Sequence, residues 1–227
     1  MEEIKIIYED NDILVLNKPA GVITTRENNE SINSNFVYLE DWIKKNRQNN
    51  LPRQGIVHRL DKGTSGIVVV AKNEISLTSL KKQFKKRLTK KYYLALAGGD
   101  LPKEGTINMP IDRSKYSFGR FKVDEDGKNA LTLFKVLKKI TIEGKKYSLI
   151  EIDLKTGRTH QIRVHLSYLG WPLLGDSLYG GIMSGGITRP FLHAKKMIIT
   201  HPTTNKEMVF EAQLALDLEN ILDKYEN

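Results

Sequence analysis

The sequence contains no cysteine among its 227 residues. This absence excludes disulfide bonds, thiol nucleophiles and cysteine-ligated metal centres. The sequence also lacks any apolar run long enough to span a bilayer, and residues 1–5 do not begin the basic and apolar pattern of a secretory signal peptide. We therefore expect a cytoplasmic protein with no membrane-inserted segment.

Acidic residues are the scarcer of the two charged classes. The chain has 27 Asp and Glu against 36 Lys and Arg, which gives a net charge of +9 at pH 7. Such an excess favours a polyanionic partner on electrostatic grounds. An apolar fraction of 40% is sufficient for a packed core, and no internal repeat divides the sequence. We expect a single domain over residues 1–227 and take a monomer as the default oligomeric state.

Hydrophobic periodicity predicts a chain that contains both strands and helices. The predicted strands cover residues 4–8, 13–16, 67–71, 90–97, 104–110, 130–137 and 147–154. The predicted helices are amphipathic and follow the apolar residues of 36–46, 77–88, 162–169 and 214–222. Polar stretches at 24–35 and 47–55 are predicted to be loops.

The most informative stretch is 58–66, which reads His-Arg-Leu-Asp-Lys-Gly-Thr-Ser-Gly and precedes the uniformly apolar run 67–71. An apolar run after a glycine predicts a buried strand, so Asp61 is expected on a tight turn beside a dry sheet. A carboxylate in such a place needs a partner, and in an extended chain Arg59 would share its face. A purely structural turn, capped by the hydroxyl residues that follow, explains the local pattern equally well.

The string His-Arg-Leu-Asp-x-x-Thr-Ser-Gly, followed by an apolar run and Ala-Lys, resembles the catalytic motif of the RluA-type pseudouridine synthase family. The resemblance implies a protein that isomerises uridine to pseudouridine in RNA, with Asp61 as the essential aspartate and Arg59 in contact with the RNA. It also implies an α+β fold in which a largely antiparallel curved sheet and flanking helices surround a central RNA-binding cleft. The catalytic body starts within the first ten residues, so we expect no N-terminal S4 module.

Residues 156–166 read Thr-Gly-Arg-Thr-His-Gln-Ile-Arg-Val-His-Leu and resemble the second signature of the same family. The resemblance implies that Arg163 pairs with Asp61, since a bidentate guanidinium would keep that carboxylate ionised and oriented. The strand sequence at 91–96 resembles the Lys-x-Tyr-Leu-Ala strand of the family, which makes Tyr93 the residue expected to stack on a flipped base. Packing within the strand is the alternative role for Tyr93. Arg158 is expected to contact the RNA backbone or the scaffold.

A basic patch is predicted on the helix after the buried strand. Residues 81–91 contain seven Lys and Arg. Any single one suits an ordinary solvated helix face, whereas the group favours a surface that tracks RNA phosphates. The predicted RNA-binding residues of this patch are Lys81, Lys82, Lys85, Lys86, Arg87 and Lys90. A second segment, 114–128, interleaves Tyr116, Phe118 and Phe121 with basic residues and predicts either an RNA-contacting loop or a flexible surface excursion.

No metal or cofactor is expected. His160 and His165 lie five residues apart, which is not the spacing of a helical zinc pair, and no carboxylate completes a ligand set. In the implied mechanism Asp61 either attacks C1′ or removes the 2′ proton, and neither route needs a metal, nucleotide or redox cofactor.

Two other functions stay open. A hydrolytic glycosidase or nucleosidase would need a second carboxylate, and of Asp112, Asp153 and Asp176 only Asp176 has a constrained setting, which the family pattern explains as structural. A catalytically inactive RNA-binding protein or chaperone of the same fold would share the basic surface. The sequence does not choose between ribosomal RNA and transfer RNA as the partner.

Overall fold

The structure is a computed structural model that describes residues 3–26, 36–47, 50–117 and 119–225. The helices are α1 (Leu39–Arg47), α2 (Glu74–Lys85), α3 (Gln161–Tyr168) and α4 (Leu216–Tyr225). The strands are β1 (Lys5–Glu9), β2 (Ile13–Lys18), β3 (Ser65–Ala71), β4 (Lys90–Gly98), β5 (Glu104–Asn108), β6 (Ile111–Arg113), β7 (Phe121–Val123), β8 (Leu131–Ile142), β9 (Lys145–Leu154), β10 (Leu192–Thr200) and β11 (Glu207–Glu211). The helices and the largely antiparallel strand pairing confirm the predicted α+β class.

The chain divides into two compact units. Unit 1 comprises residues 1–90 and 194–213, and unit 2 comprises residues 91–193 and 214–227. The single catalytic domain over the whole chain stays a prediction. None of the helices in the described ranges has the length and apolar character that crossing a membrane requires.

Unit 1 is built around the predicted buried strand. Its strand order is β1-β2-β3-β10, and β11 pairs with β10. Every residue of β3 is buried, and Leu77 and Leu80 of α2 pack in the same apolar cluster. Gly66 has φ +116°, and a Cβ there would lie 2.3 Å from the carbonyl oxygen of Ala194. The glycine is therefore required by the close approach of β10 to the start of β3.

The helix α2 is shorter than its apolar pattern predicts. It ends at Lys85, whereas the pattern continued to Leu88. Arg87 has φ +58°, so the backbone leaves the helix there, and Leu88 is 63% exposed. The prediction was wrong at this end. Leu88 has the spacing of the apolar helix face, but the left-handed backbone of Arg87 ends the helix before it.

Unit 2 has the strand order β4-β9-β8-β5. The β8–β9 hairpin turns at Glu143 and Gly144, which both have positive φ. Leu96 of β4, Leu149 of β9 and Leu218 of α4 lie in its main apolar cluster. The predicted strands and C-terminal helix are confirmed, although β8 runs five residues beyond the predicted end at 137.

The segment 114–128 was predicted to be a loop, and that prediction was wrong in part. Residues 121–123 form β7, which pairs antiparallel with β6 in a small separate hairpin. Strands of three residues are too short to produce a periodic signal. Phe118, residues 27–35 of the first predicted loop and residues 48–49 of the second lie outside the described residues.

The turn between β1 and β2 is centred on Asp10. Its carboxylate accepts hydrogen bonds of 2.8 Å from the backbone N–H groups of Asp12 and Ile13 and from the Tyr8 hydroxyl. His201, just before the β10–β11 turn, donates to the same carboxylate through Nε2 at 2.9 Å. The network therefore ties the two turns of unit 1 together.

Asp10, Asp12 and His201 also form a group whose potential metal-ligand atoms lie within 4.8 Å of one another, among the residues that the structure describes. Their hydrogen-bonding capacity is used by the protein itself. The His201 Nδ1 accepts N–H groups from Thr203 and Thr204, and the Asp12 carboxylate accepts the Thr203 hydroxyl at 2.7 Å. We assign the group a structural role.

Asp10→Asn should destabilise the protein in a pH-dependent way. Burial by itself would raise the pKa of Asp10, but hydrogen bonds from Ile13, Asp12, Tyr8 and His201 lower it from 3.8 to about 2. A lowered folded-state pKa stabilises the protein above pH 3.8, and this stabilisation is lost as the pH falls towards 2. We expect Asp10→Asn to lower the free energy of unfolding by about 1–2 kcal/mol at pH 7, and by less as the pH approaches 2.

Urea unfolding at pH 7, 4 and 3 measures this difference. Glu125→Gln, at an exposed carboxylate, is the matched control and should leave the free energy of unfolding nearly unchanged. If the free energy of unfolding of Asp10→Asn differs from that of the wild type by the same amount at pH 7 and pH 3, the stabilising role of the ionised Asp10 is contradicted.

Candidate functional site

The Asp61 turn lies in unit 1 at the start of β3. The Thr64 N–H donates to the Asp61 carbonyl at 3.0 Å and closes the turn, and Ser65 begins the strand. Leu60 is buried, whereas Asp61 is half-buried. The predicted tight turn beside a dry sheet is thus confirmed, and the half-buried carboxylate lies between solvent and the buried strand.

The segment before α1 holds the backbone on both sides of Asp61. The Thr24 hydroxyl donates to the carbonyl of Leu60 at 2.8 Å and accepts its N–H at 3.1 Å. The Gly21 N–H donates to the carbonyl of Lys62 at 2.8 Å. Because Leu60 and Lys62 flank Asp61 directly, these bonds restrict where its side chain can point, which is the pre-organisation that a reactive group needs.

A buried lysine supports the same segment. Lys18 is fully buried at the end of β2, and its Nζ donates to the carbonyls of Pro19 at 2.9 Å and Val22 at 2.8 Å. These carbonyls flank Gly21 on both sides. The ammonium therefore fixes the loop whose N–H group holds the residue after Asp61.

Arg59 and His58 precede Asp61 and face different surroundings. Arg59 is exposed and the next residue, Leu60, is buried, an alternation that matches the predicted extended chain. The His58 Nε2 accepts the Val69 N–H at 2.9 Å, and its ring stacks on Phe84 with centroids 4.6 Å apart. His58 is therefore a structural residue of β3 and α2, while Arg59 lies at the surface.

The other two predicted catalytic residues lie in unit 2. Tyr93 is in β4, opposite Ile152 of β9, and is 7% exposed. Arg163 lies in the first turn of α3 and is 8% exposed. The start of this helix is fixed by Gln161, which bonds to the Thr156 hydroxyl at 2.7 Å and donates to the Thr132 hydroxyl at 2.9 Å.

Arg163 forms a buried bidentate ion pair with Asp176. Its Nε donates to one carboxylate oxygen at 2.7 Å and its Nη2 to the other at 2.8 Å, and Asp176 is fully buried. Removing one partner of such a pair typically costs about 3–5 kcal/mol because the other charge is left buried. The Nε–Nη2 edge of Arg163 is thus committed to Asp176.

Sequence reasoning missed Thr24, and it missed the partner of Asp176, which the family pattern had explained as structural. The string containing Asp176 was recognised as part of the second signature, but nothing in the pattern indicated its partner. Thr24 falls in a polar stretch that was predicted to be a loop, and a single hydroxyl in a loop gives no pattern. Among the signals available, only the constrained setting of Asp176, directly after Gly175, pointed to a special role.

The residues of the basic patch are all exposed, and within the described ranges none of them forms an ion pair. Five of them lie on the last two turns of α2 or just after it, where cations also complement the helix C-terminus. Arg158 belongs to unit 2, and its Nε donates to the carbonyl of Asn129 at 3.2 Å. A contact of Arg158 with RNA stays a prediction.

Comparison with known proteins identifies related sequences over most of the chain. A family model described as RNA pseudouridylate synthase matches residues 12–168. A Bacillus subtilis protein named uncharacterized RNA pseudouridine synthase YhcT is 41% identical over 98% of this chain and 72% of its own length. A Nitrosomonas europaea protein named ribosomal large subunit pseudouridine synthase D is 37% identical over 99% of this chain and 66% of its own length.

Solved structures show the same relationship. Human RNA Pseudouridylate Synthase Domain Containing 1 is 29% identical and superposes with a TM-score of 0.78, covering 97% of this chain and 88% of that chain. Human RNA Pseudouridylate Synthase Domain Containing 4 is 24% identical with a TM-score of 0.73, covering 96% and 92% respectively. The second likeness, at its lower identity, concerns the fold alone.

Thr24→Val should loosen the Asp61 turn. The substitution keeps the size of the side chain but removes both hydrogen bonds to Leu60, and we expect it to lower the free energy of unfolding by about 1–3 kcal/mol. Hydrogen exchange of the Leu60 amide should accelerate at the same time. Thr25→Val makes the same change at a neighbouring buried threonine whose hydroxyl has no hydrogen bond in the described part of the chain. Equal effects of the two variants would contradict the role of Thr24.

Proposed function

The chain belongs to the RNA pseudouridylate synthase family, and from this we infer that it isomerises specific uridines in structured RNA to pseudouridine with Asp61 as the essential carboxylate. The observation that carries the inference is the Asp61 turn. In it the family motif coincides with a carboxylate whose flanking backbone is fixed by Thr24 and Gly21. A fixed carboxylate at the edge of a dry sheet is what attack at a sugar carbon requires.

The reaction needs the target uridine to leave its stack. We propose that the base is flipped into the protein, at a cost of a few kcal/mol that is smallest for unpaired nucleotides. Asp61 then either forms a bond to C1′ as the bond from C1′ to N1 breaks, or removes the 2′ proton to give a glycal. In the first route C5 of the turned uracil bonds to C1′ as the Asp61 oxygen leaves C1′, and in the second route C5 bonds to C1′ as Asp61 returns the proton to C2′. In both routes the C5 hydrogen then leaves as a proton and N1 gains one.

Arg163, Tyr93 and Arg59 are proposed to assist Asp61 on the same uridine. Arg163 would supply the positive charge that keeps the carboxylate ionised, Tyr93 would stack on the base and exclude water, and Arg59 would occupy the space that the flipped base leaves. Family membership supports their joint action. The fixed guanidinium of Arg163 and the exposure of Arg59 agree with it.

The basic patch is proposed to hold the RNA backbone. Its unpaired cations can neutralise phosphates and release counterions, a term that does not depend on sequence. The choice of uridine must then come from contacts near Asp61 and from RNA shape. Because the Nitrosomonas europaea relative is named as a ribosomal large subunit enzyme, large-subunit ribosomal RNA is the first substrate to test, followed by transfer RNA.

The glycosidase alternative is not favoured by the carboxylates that the structure describes. Glycoside hydrolysis usually needs a second carboxyl group beside the scissile bond. Asp176 is committed to Arg163, and Asp153 pairs with Lys155 at 2.6 Å. A catalytically inactive RNA-binding protein would have no need of the fixed Asp61 turn.

Deletion of the gene should remove one or more pseudouridines from cellular RNA. Pseudouridine mapping by carbodiimide-dependent reverse-transcription stops, on ribosomal and transfer RNA, would identify the positions. We expect wild-type protein to restore the lost positions and Asp61→Asn to fail, since the substitution keeps the shape but removes the charge. Restoration by Asp61→Asn would contradict the role of Asp61.

Salt should weaken RNA binding through the basic patch. Replacing Lys82 and Lys86 by Gln should reduce the slope of log K against log salt by about 1–2 units, because two phosphate contacts are lost. Lys5→Gln with Lys206→Gln removes the same charge from exposed positions outside the patch and serves as the control. Equal slopes for the two double variants would place the RNA elsewhere on the surface.

A further inference from the structure

Tyr179 contacts the same guanidinium that Asp176 holds. It ends the short turn Ser177–Tyr179 and is 6% exposed. The Arg163 Cζ lies 4.9 Å from the centroid of its ring. One turn of the chain therefore supplies both the carboxylate that binds the edge of Arg163 and the aromatic ring over which its guanidinium lies.

The backbone of this turn has little freedom. The N–H groups of Tyr179 and Gly181 donate to the carbonyl of Asp176 at 3.1 and 2.8 Å, and the Ser167 hydroxyl of α3 donates to the carbonyl of Tyr179 at 2.7 Å. A Cβ at Gly181 would lie 1.9 Å from the carbonyl oxygen of Leu173. The turn is therefore fastened to the helix that carries Arg163.

The hydroxyl of Tyr179 forms hydrogen bonds that do not depend on the contact of its ring with Arg163. It accepts the Phe121 N–H of β7 at 2.9 Å and hydrogen-bonds with Nδ1 of His160 at 2.9 Å. The ring of His160 also lies edge-on to that of Tyr179, with centroids 5.6 Å apart. The hydroxyl thus fastens the β6–β7 hairpin and the start of α3, while the ring contacts the guanidinium groups of Arg163 and, at 5.5 Å, Arg120. Substitutions can separate the two roles.

We propose that Tyr179 is a positioning residue of the isomerisation, which fixes the plane of the Arg163 guanidinium through its ring. The proposal rests on the proposed function, in which Arg163 acts on Asp61. Asp176 alone fixes one edge of the guanidinium, and the ring prevents it from tilting out of the plane of that ion pair. The cation above the aromatic face is itself attractive. Misplacement of a catalytic group by about 1 Å costs about 100-fold in rate.

The test compares variants that keep or remove the ring. Tyr179→Leu should lower the single-turnover rate at saturating RNA by about 10-fold to 100-fold and leave the Kd for RNA within about threefold. Tyr179→Phe keeps the ring and should keep the rate. Because it removes the hydroxyl, it should lower the free energy of unfolding. Tyr168→Leu makes the same change at a 59% exposed tyrosine of α3 and is the matched control. A Tyr179→Phe variant as slow as Tyr179→Leu would overturn the proposal.

A double-mutant cycle shows whether Tyr179 acts through Arg163. In an Arg163→Lys background, which keeps a cation for Asp176 but has no planar group, Tyr179→Leu should change the rate by less than about twofold. The same factor in both backgrounds would assign Tyr179 a general structural role and overturn the proposal. If Tyr179→Leu does not fold, the Nε–H resonance of Arg163 is compared between wild type and Tyr179→Phe, and a large change would contradict the ring contact.

The same measurements distinguish a failure of the proposed function from a failure of the role of Tyr179. Wild-type protein and Asp61→Asn that are equally inactive on RNA would contradict the proposed function itself. An active wild type with Tyr179→Leu as fast as Tyr168→Leu would contradict only the role of Tyr179.

Discussion

The structure depends on how it keeps charged groups in place where water is scarce. Arg163 and Asp176 are both buried and form two short hydrogen bonds. Such a pair adds little net stability compared with apolar residues of the same size, because removing two charges from water is costly. Its contribution is geometric, since a bidentate pair fixes one edge of a guanidinium. The position of α3, the 176–179 turn and the proposed role of Arg163 all follow from it.

The chain around Asp61 is fixed by hydrogen bonds to backbone groups. Thr24 and Gly21 fix the backbone around Asp61, and Lys18 fixes the loop that carries Gly21. The carboxylate itself is left half-buried. The bonds around Asp61 join residues of unit 1, and the pair of Arg163 with Asp176 joins residues of unit 2. Thr24 is far from Asp61 in the sequence, but it belongs to the same site because its hydroxyl bonds to the backbone of Leu60.

The sequence predicted the parts that produce patterns. The buried run 67–71, the turn at Asp61 and the short helix with Arg163 follow from apolar spacing and from the family motifs. The pairing of Arg163 with Asp176, 13 residues later, could not be predicted because it depends on how a glycine-flanked turn folds back. The three-residue strands of the β6–β7 hairpin are too short for periodicity. Leu88 shows the opposite error, since its spacing suited a helix that the backbone had already left.

The measurement that tests the central claim most directly uses purified protein and transcripts of large-subunit ribosomal RNA and transfer RNA that carry tritium at C5 of uridine. Bonding of C5 to C1′ expels that hydrogen, so isomerisation releases tritium to water and leaves the RNA chain and its base count intact. The account predicts tritium release by the wild type, none by Asp61→Asn, and no free uracil with either protein. Free uracil, or RNA binding without tritium release from any transcript, would contradict it.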